Sequence, residues 1–418
     1  MNVHRKNLLL LVLGCALSNY DTFLLGTLCL KIVPLFVNLD NGQSQTFWAH
    51  ALVLVAFFTR PFGGMVFGYI GDRFSRKTSY ITSLFLLSTP SLLLGLLPTY
   101  EVIGIGATIA FTVLRLLQGF STGGTFGGTF TYTSEHTSKV NPLIKSSLAL
   151  ASGFLGVCFA LIIVYCSQSI FPQDSELAWR APFIFSVFSF MAAFFIKKQF
   201  TETPIAVEKR RKKLDISHIL KTVAPLKKEI IACFLFGGIN MVPFHFATLH
   251  INFLLFNYLG FSSDDPFIYV NNFCFFLGSA ALIMFFSFLG KILKARKIIE
   301  MSVLWFVLLS IPMFFYTAHE MTLGKIIFLQ AYLAIGNICF LVPIVSLLPK
   351  SFPHKIRFTL FSFTYTLGQG VIGASIQLLT TKIILKTNYL WTPSIILSIA
   401  FLVVWIMLER MNWGIDND

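Results

Sequence analysis

Charge is scarce in this sequence, and acid is scarcest. Only 12% of its 418 residues are charged, with 18 Asp and Glu in all, whereas about a quarter of a soluble domain is charged. Away from the ends of the long apolar stretches that fill the chain, the acidic residue is Asp21. The seven cysteines, Cys15, Cys29, Cys158, Cys166, Cys233, Cys274 and Cys339, form no CxxC pair and all fall in apolar segments, so they read as small buried hydrophobes and neither a disulfide nor a metal site is expected. No G-x-x-x-x-G-K-S/T loop occurs, which argues against ATP as an energy source. H-E-x-x-H is missing too. An enzyme is not expected, and no cofactor.

What is present is apolar. Hydrophobic residues make up 56% of the chain, and a chain of this size and composition needs the bilayer as its solvent. A span takes about 20 apolar residues. Such stretches lie near residues 8–36, 47–71, 79–97, 102–130, 143–170 and 179–198, and again near 229–258, 267–290, 298–316, 323–349, 356–385 and 390–409. Backbone groups must be satisfied inside lipid, so these are expected to be helices. The first stretch follows His4, Arg5 and Lys6 and could pass for a signal peptide. It runs past Cys15 to about Val37, longer than a cleaved signal, and reads as an uncleaved span.

The net charge of +14 could suggest a nucleic-acid partner, but the basic residues sit mostly in short loops between apolar runs. The longest hydrophilic segment, Lys197 to Lys228, contains Lys209-Arg210-Arg211-Lys212-Lys213. It divides the chain into a six-span half at 1–198, a basic linker at 199–228 and a second six-span half at 229–418. With both termini inside, only Lys31, Arg180, Lys325, Lys382 and Lys386 fall in outer loops or at the outer rim. That bias predicts cytoplasmic termini. Two six-helix sets joined by one linker is the layout of transporters built from two pseudo-symmetric halves.

The loop after the second span reads Gly68-Tyr-Ile-Gly71-Asp72-Arg73-Phe-Ser75-Arg76-Lys77. This resembles the G-x-x-x-D-R-x-G-R-R/K loop of the major facilitator superfamily, with Ser75 in place of the second glycine. The resemblance implies twelve helices in two bundles and a charge network at the cytoplasmic gate. Asp72, Arg73 and Arg76 would form it, with Glu135 as partner. A carboxylate here can also face helix N-termini. The corresponding loop at Gly290–Lys297 lacks the aspartate.

The first half is similar in more detail to the metabolite:proton symporters, which include proline/betaine and α-ketoglutarate permeases. Thr59-Arg60-Pro61-Phe-Gly63-Gly64-Met-Val-Phe-Gly68 looks like that family's second helix. Tyr100-Glu101-Val-Ile-Gly104 and Arg115-Leu-Leu-Gln118-Gly119-Phe-Ser121-Thr-Gly123-Gly124 look like its third loop and fourth helix. Trp179-Arg180-Ala-Pro182-Phe183 and Glu202-Thr203-Pro204 look like the start and exit of its sixth. The likeness covers roughly residues 15–205. Two membrane acids of the family are missing. Ser18-Asn19-Tyr20-Asp21-Thr22 keeps the aspartate of the first helix without the glutamate, and Thr125 follows Gly124 where the family has a glutamate.

Charges inside spans are costly, about 2.5–3.5 kcal/mol each at the bilayer centre, and mark function or a static pair. Asp21, Arg60 and Arg115 all reach the middle depth. One reading is an Asp21–Arg115 switch for proton coupling, ionised Asp21 pairing with Arg115 and protonated Asp21 releasing it; the other is a fixed helix–helix pair. Arg60 could take a substrate carboxylate in bidentate fashion, or satisfy carbonyls beside Pro61. With Tyr20, Gln118, Asn240, His245 and Gln369 it makes up the expected substrate-binding set. Gly119, Gly123 and Gly127 form a ladder on one face of the fourth helix, which permits close packing.

The expectation is a monomeric secondary transporter of a bacterial plasma membrane. It would take up a small carboxylate-bearing metabolite (a dicarboxylate, amino acid or betaine-like zwitterion) with protons, by alternating access. Its partners would be that molecule, protons and lipid, with no nucleic acid. A non-transporting receptor on the same fold remains open because the two acids are lost. So does an exporter, which the aromatic-rich interior would suit.

Overall fold

The computed structural model describes residues 3–37, 42–135, 141–171, 175–202, 223–262 and 265–410. The basic run at Lys209–Lys213 and the end of the Glu202-Thr203-Pro204 motif lie outside these. No strand occurs among the described residues. In the first half the spans are α1 (Val3–Phe36), α2 (Gly42–Arg73), α3 (Arg76–Leu96), α4 (Ile105–Glu135), α5 (Pro142–Ile170) and α6 (Glu176–Gln199). In the second they are α7 (Ala224–Tyr258), α8 (Pro266–Leu289), α9 (Ala295–His319), α10 (Leu323–Leu347), α11 (Arg357–Gly368, continued through Gln369–Ala374 and Ser375–Thr387) and α12 (Thr392–Arg410). Ten helices among the described residues are long and apolar enough to cross a bilayer. The remaining two, α2 and α11, carry much of the polar chemistry described below.

Local chemistry explains most of the boundaries. Ser75, Asn141, Ser175, Asp265 and Thr322 each accept a backbone N–H at the start of the following helix, satisfying donors that a helix N-terminus leaves open. Ser75, the departure from the loop pattern, thus serves as the cap of α3. The fourth span was expected from residue 102, but a one-turn helix at Tyr100–Ile103 ends at Gly104. Its φ of 58° is a left-handed conformation that glycine adopts without strain, and α4 starts after it. Two spans expected to be regular are not. α7 contains a π-helical turn at Phe246–His250 and α11 another at Gln369–Ala374.

Each half packs its first helix against its fifth through a glycine. A Cβ placed on Gly156 of α5 would lie 2.0 Å from the Ala16 carbonyl oxygen of α1. One on Gly368 of α11 would lie 1.9 Å from the Phe234 carbonyl oxygen of α7. α2 and α4 meet as closely, Gly119 against Ala56 and Gly123 against Arg60. Across the seam between the halves, Gly68 of α2 meets Thr359 and Gly127 of α4 meets Ser362, both on α11. Lipid tails offer no hydrophobic drive between helices, so association rests on such close van der Waals approach. Large apolar side chains such as Phe62, Leu308 and Leu385 are exposed on the outside of the helical body, where acyl chains would cover them.

Gly123→Val should cost about 1–3 kcal/mol, the usual range for overpacking, because its side chain would meet the Arg60 carbonyl 2.0 Å from Cβ. Gly278→Val, where a Cβ meets nothing within 4 Å, should leave stability nearly unchanged. Thermal unfolding of the two variants in one detergent provides the comparison.

Candidate functional site

At one end of the molecule the α2–α3 loop seals the seam. Asp72 Oδ2 accepts from the Thr359 backbone N–H at 2.8 Å and its hydroxyl at 2.6 Å, and Oδ1 accepts from the Phe358 N–H at 3.3 Å. A carboxylate of the first half thus sits on the N-terminus of α11 in the second, where the helix dipole favours a negative charge. Arg76 pairs with Asp72 and reaches Glu135 through Nε at 3.1 Å and Nη2 at 3.0 Å. Its Nη2 also donates to the His354 carbonyl at 3.0 Å. Arg357 approaches Glu135 at 3.8 Å from the second half. These carboxylates are almost fully buried. Arg73 turns elsewhere, donating to the Tyr69 hydroxyl and lying over the Tyr69 and Phe74 rings. Glu202 joins the loop instead, bonded to Ser75 and facing the Lys77 N–H at 3.3 Å.

Between the halves, beyond this seal, lies a cavity formed of a larger and a smaller adjoining chamber. Arg60, Phe57, Thr22, Phe23, Phe244 and Phe276 border both. The larger chamber extends from Arg60, Arg115 and His245 towards Lys31, Phe256 and Ile268 at the end away from the α2–α3 loop. The smaller holds Asn19, Thr122, Thr125, Asn240, Tyr365 and Gln369. Among the described residues lining either chamber none is acidic, whereas Arg60, Arg115 and Lys31 are cationic.

Arg60 is the centre of this arrangement. Its guanidinium carbon lies 3.6 Å from the centroid of the Phe57 ring, and Nη1 donates to Gln369 Oε1 of α11 at 3.3 Å. Its buried Nε has no hydrogen-bond partner. Arg115 reaches Gln118 Oε1 at 3.0 Å, and Gln118 Nε2 is anchored on Ser91 at 2.8 Å. The cavity therefore presents a buried guanidinium, a second guanidinium on the same wall, and hydroxyl and amide groups around them.

Several sequence expectations are redirected. Asp21 and Arg115 are not brought together. Arg115 faces the large chamber, while Asp21 lines a separate small pocket between α1, α3 and α6 with Ser18, Ser88 and Ser189. Asp21 is 1% exposed and its Oδ1 has no hydrogen-bond partner. Consecutive helical residues point about 100° apart, so Thr22 takes the cavity face and Asp21 the neighbouring one. Tyr20 also misses the cavity; its hydroxyl donates to the Pro182 carbonyl at 2.7 Å inside the first half. Gln118 supports Arg115 from behind without lining either chamber. Arg60, Asn240, His245 and Gln369 do line the cavity. Thr22, Phe23 and Asn19 were missed, although Cys15, Asn19, Thr22 and Gly26 follow one another at helical spacing on one face of α1. Ser18 borders both the small pocket of Asp21 and the inner chamber.

A two-bundle fold with a sealed loop at one end and a largely apolar cavity holding buried guanidinium groups between the bundles defines a membrane carrier. The model of the Major Facilitator Superfamily matches residues 11–376, and the chain belongs to that superfamily. It is 26% identical over 386 residues to a Staphylococcus haemolyticus (strain JCSC1435) protein named "Putative proline/betaine transporter", covering 90% of this chain and 81% of the relative. It is 24% identical over 406 residues to the inner membrane metabolite transport protein YhjE of Escherichia coli (strain K12), covering 93% and 89%. Among solved structures, the partially occluded inward-open xylose transporter XylE from E. coli superposes with a TM-score of 0.74 at 14% identity, over 99% of this chain and 98% of that one. The human organic anion transporter MFSD10 does so with 0.73 at 13%, over 98% and 100%. These two establish the fold alone. The protein is an integral membrane transporter and not an enzyme.

Asp72→Asn removes the charge that holds α11 while leaving the shape of the side chain. It should loosen the seal. Thr129 lines the inner chamber. A Thr129→Cys probe, with Cys15, Cys166 and Cys274 replaced by Ser, should be alkylated several-fold faster in the Asp72→Asn background by a charged maleimide added on the loop side.

Proposed function

We propose that this chain is a proton-coupled carrier that takes up a small carboxylate-bearing metabolite across a bacterial plasma membrane as a monomer. Its halves, residues 1–198 and 229–418, would rock about the cavity, with 199–228 joining them on the cytoplasmic side. The observation that carries the reading is Arg60, a buried guanidinium that meets one neutral amide oxygen and has no acidic residue lining its cavity. An uncompensated buried charge costs several kcal/mol, and a substrate carboxylate is the group that relieves it, most strongly in a bidentate pairing. Arg115 gives the same wall a second anion partner, which favours a substrate with two carboxylates.

A second reading follows from the aromatic faces. Phe23, Phe244 and Phe276 lie within 6.4 Å of one another, centroid to centroid, and such rings can receive a quaternary ammonium. With Arg60 on the carboxylate they would hold a betaine-like zwitterion, the cargo named for the staphylococcal relative.

On the proton side, Asp21 is assigned the coupling role from its own pocket and not as a partner of Arg115. The sealed α2–α3 loop would be the cytoplasmic gate, and the cavity would open outward in this conformation. Orientation rests on the basic loops.

Two measurements test this. In proteoliposomes with an inward proton gradient, the wild type should concentrate labelled substrate. Asp21→Asn should lose gradient-driven accumulation while keeping substrate exchange at equal pH. Accumulation that follows sodium and ignores protons would reject the assignment. Arg60→Ala should weaken carboxylate binding at least tenfold by calorimetry, since a charge-assisted contact is worth about 1.5–3 kcal/mol.

A further inference from the structure

His245 stands on α7 at the edge of one π-helical turn and faces the other. Its Nδ1 lies 3.2 Å from the carbonyl oxygen of Gly373 in α11. A carbonyl only accepts, so Nδ1 carries the hydrogen, and in the neutral ring Nε2 is then an acceptor. Nε2 has no hydrogen-bond partner among the described residues, yet it is not one of the sealed-off polar atoms, and the side chain lines the large chamber. The ring stands edge-on to Phe57 at 5.2 Å between centroids, and Phe57 carries the Arg60 guanidinium on its face at 3.6 Å. One aromatic ring therefore separates the anion-binding group of the first half from a lone-pair acceptor of the second.

We propose that His245 Nε2 is a specificity element of the substrate site: it selects carboxylates that bear a hydroxyl or N–H donor near the carboxyl group over analogues without one. The inference rests on the carboxylate reading above and adds what the other end of the substrate must be. Arg60 and Arg115 offer only donors, so they rank carboxylates by charge and reach. Nε2 offers only a lone pair, and the hydrogen it accepts must come from the ligand. A ligand lacking that hydrogen leaves Nε2 desolvated and unpaired, which is the asymmetry by which polar sites reject deoxy analogues. The two halves would then read two ends of one molecule. The π turns serve this by setting the α7 side chain against the α11 carbonyl that fixes its tautomer; such turns are frequent at functional sites.

The experiment uses the purified full-length protein and two probe pairs, L-malate with succinate and L-proline with glycine betaine. Each pair differs in a donor near the carboxylate. Affinities are read by calorimetry at one pH. In whichever pair binds, the donor-bearing member should bind the wild type about 5–10-fold more tightly, the size of one net hydrogen bond. His245→Asn keeps an amide N–H near the Nδ1 position for the Gly373 carbonyl but does not reach the chamber. It should bring the two members within about twofold by weakening the donor-bearing one. His245→Gln places an amide oxygen near the Nε2 position and should retain part of the preference. A purely structural histidine would instead weaken both members equally and leave their ratio unmoved. A ratio near one in the wild type, or one that survives His245→Asn in a folded variant, overturns the proposal and leaves the carboxylate reading standing. Failure of all four probes to bind the folded wild type overturns both.

Discussion

The constraint on which the site depends is the burial of Arg60 between two halves that the proposed transport cycle would move apart. Removing a guanidinium from water costs several kcal/mol even after relaxation. Against this the structure sets the face of Phe57, worth about 2 kcal/mol or somewhat more when desolvated, and one 3.3 Å bond donated to Gln369. Those terms do not cover the cost, and Nε remains unpaired. The protein's own groups thus leave the site short of satisfaction. Both compensating groups lie where movement can reach them. Phe57 is one turn away on the same helix, and Gln369 sits in the π turn of α11 across the seam.

The seal at the other end has the opposite character. Asp72 has its lone pairs occupied by Arg76 and by Phe358 and Thr359 of α11, and Glu135 is held between Arg76 and Arg357. Bonds to charged groups contribute about 1.5–3 kcal/mol each. Breaking the three that α11 donates to Asp72 would alone cost on the order of the 5.5 kcal/mol needed to invert a 1:99 population. The glycines of α2 and α4 add to this, because Gly68 and Gly127 let the backbone and side chains of α11 approach within ordinary side-chain distance. A satisfied lock and an unsatisfied cavity share one rigid pair of helices, α2 and α11. Under the proposed reading, relief at Arg60 and release at Asp72 would be one mechanical event seen from two places.

Much of this was legible in the residues. Hydropathy placed all twelve spans, and the Gly68–Lys77 pattern located the seal and its partner Glu135. Burial was legible as well, since Arg60, Arg115 and Asp21 are all buried. Direction around the helix was not. A single residue turns the side chain by about 100°, and it separates Thr22, which faces the cavity, from Asp21, which does not. The same limit sent Tyr20 into the first half and Gln118 behind Arg115. The likeness of the halves was also hidden, because it resides in backbone approach. Gly156 over α1 and Gly368 over α7 occupy equivalent places without any shared motif. The π turns leave no signature either, since an inserted residue in a uniformly apolar helix alters no visible period.

That one-residue offset has a consequence for coupling. A charge swap between Asp21 and Arg115 would place proton and substrate in the same chamber, competing for one guanidinium. The structure separates them. Asp21 borders α3 and α6 within the first half, whereas Arg60 bonds to the second. Under the proposed reading, protonation would change how α1 packs inside its own bundle, and the substrate would change how the bundles meet. Ser18 borders both spaces, and Thr22 follows Asp21 directly on the cavity face, so α1 is the element that both events can move. Coupling by a shared rigid helix asks for no path of charges between the sites. It asks only that α1 have two positions, one favoured by a neutral side chain in the serine-lined pocket and one by an occupied cavity.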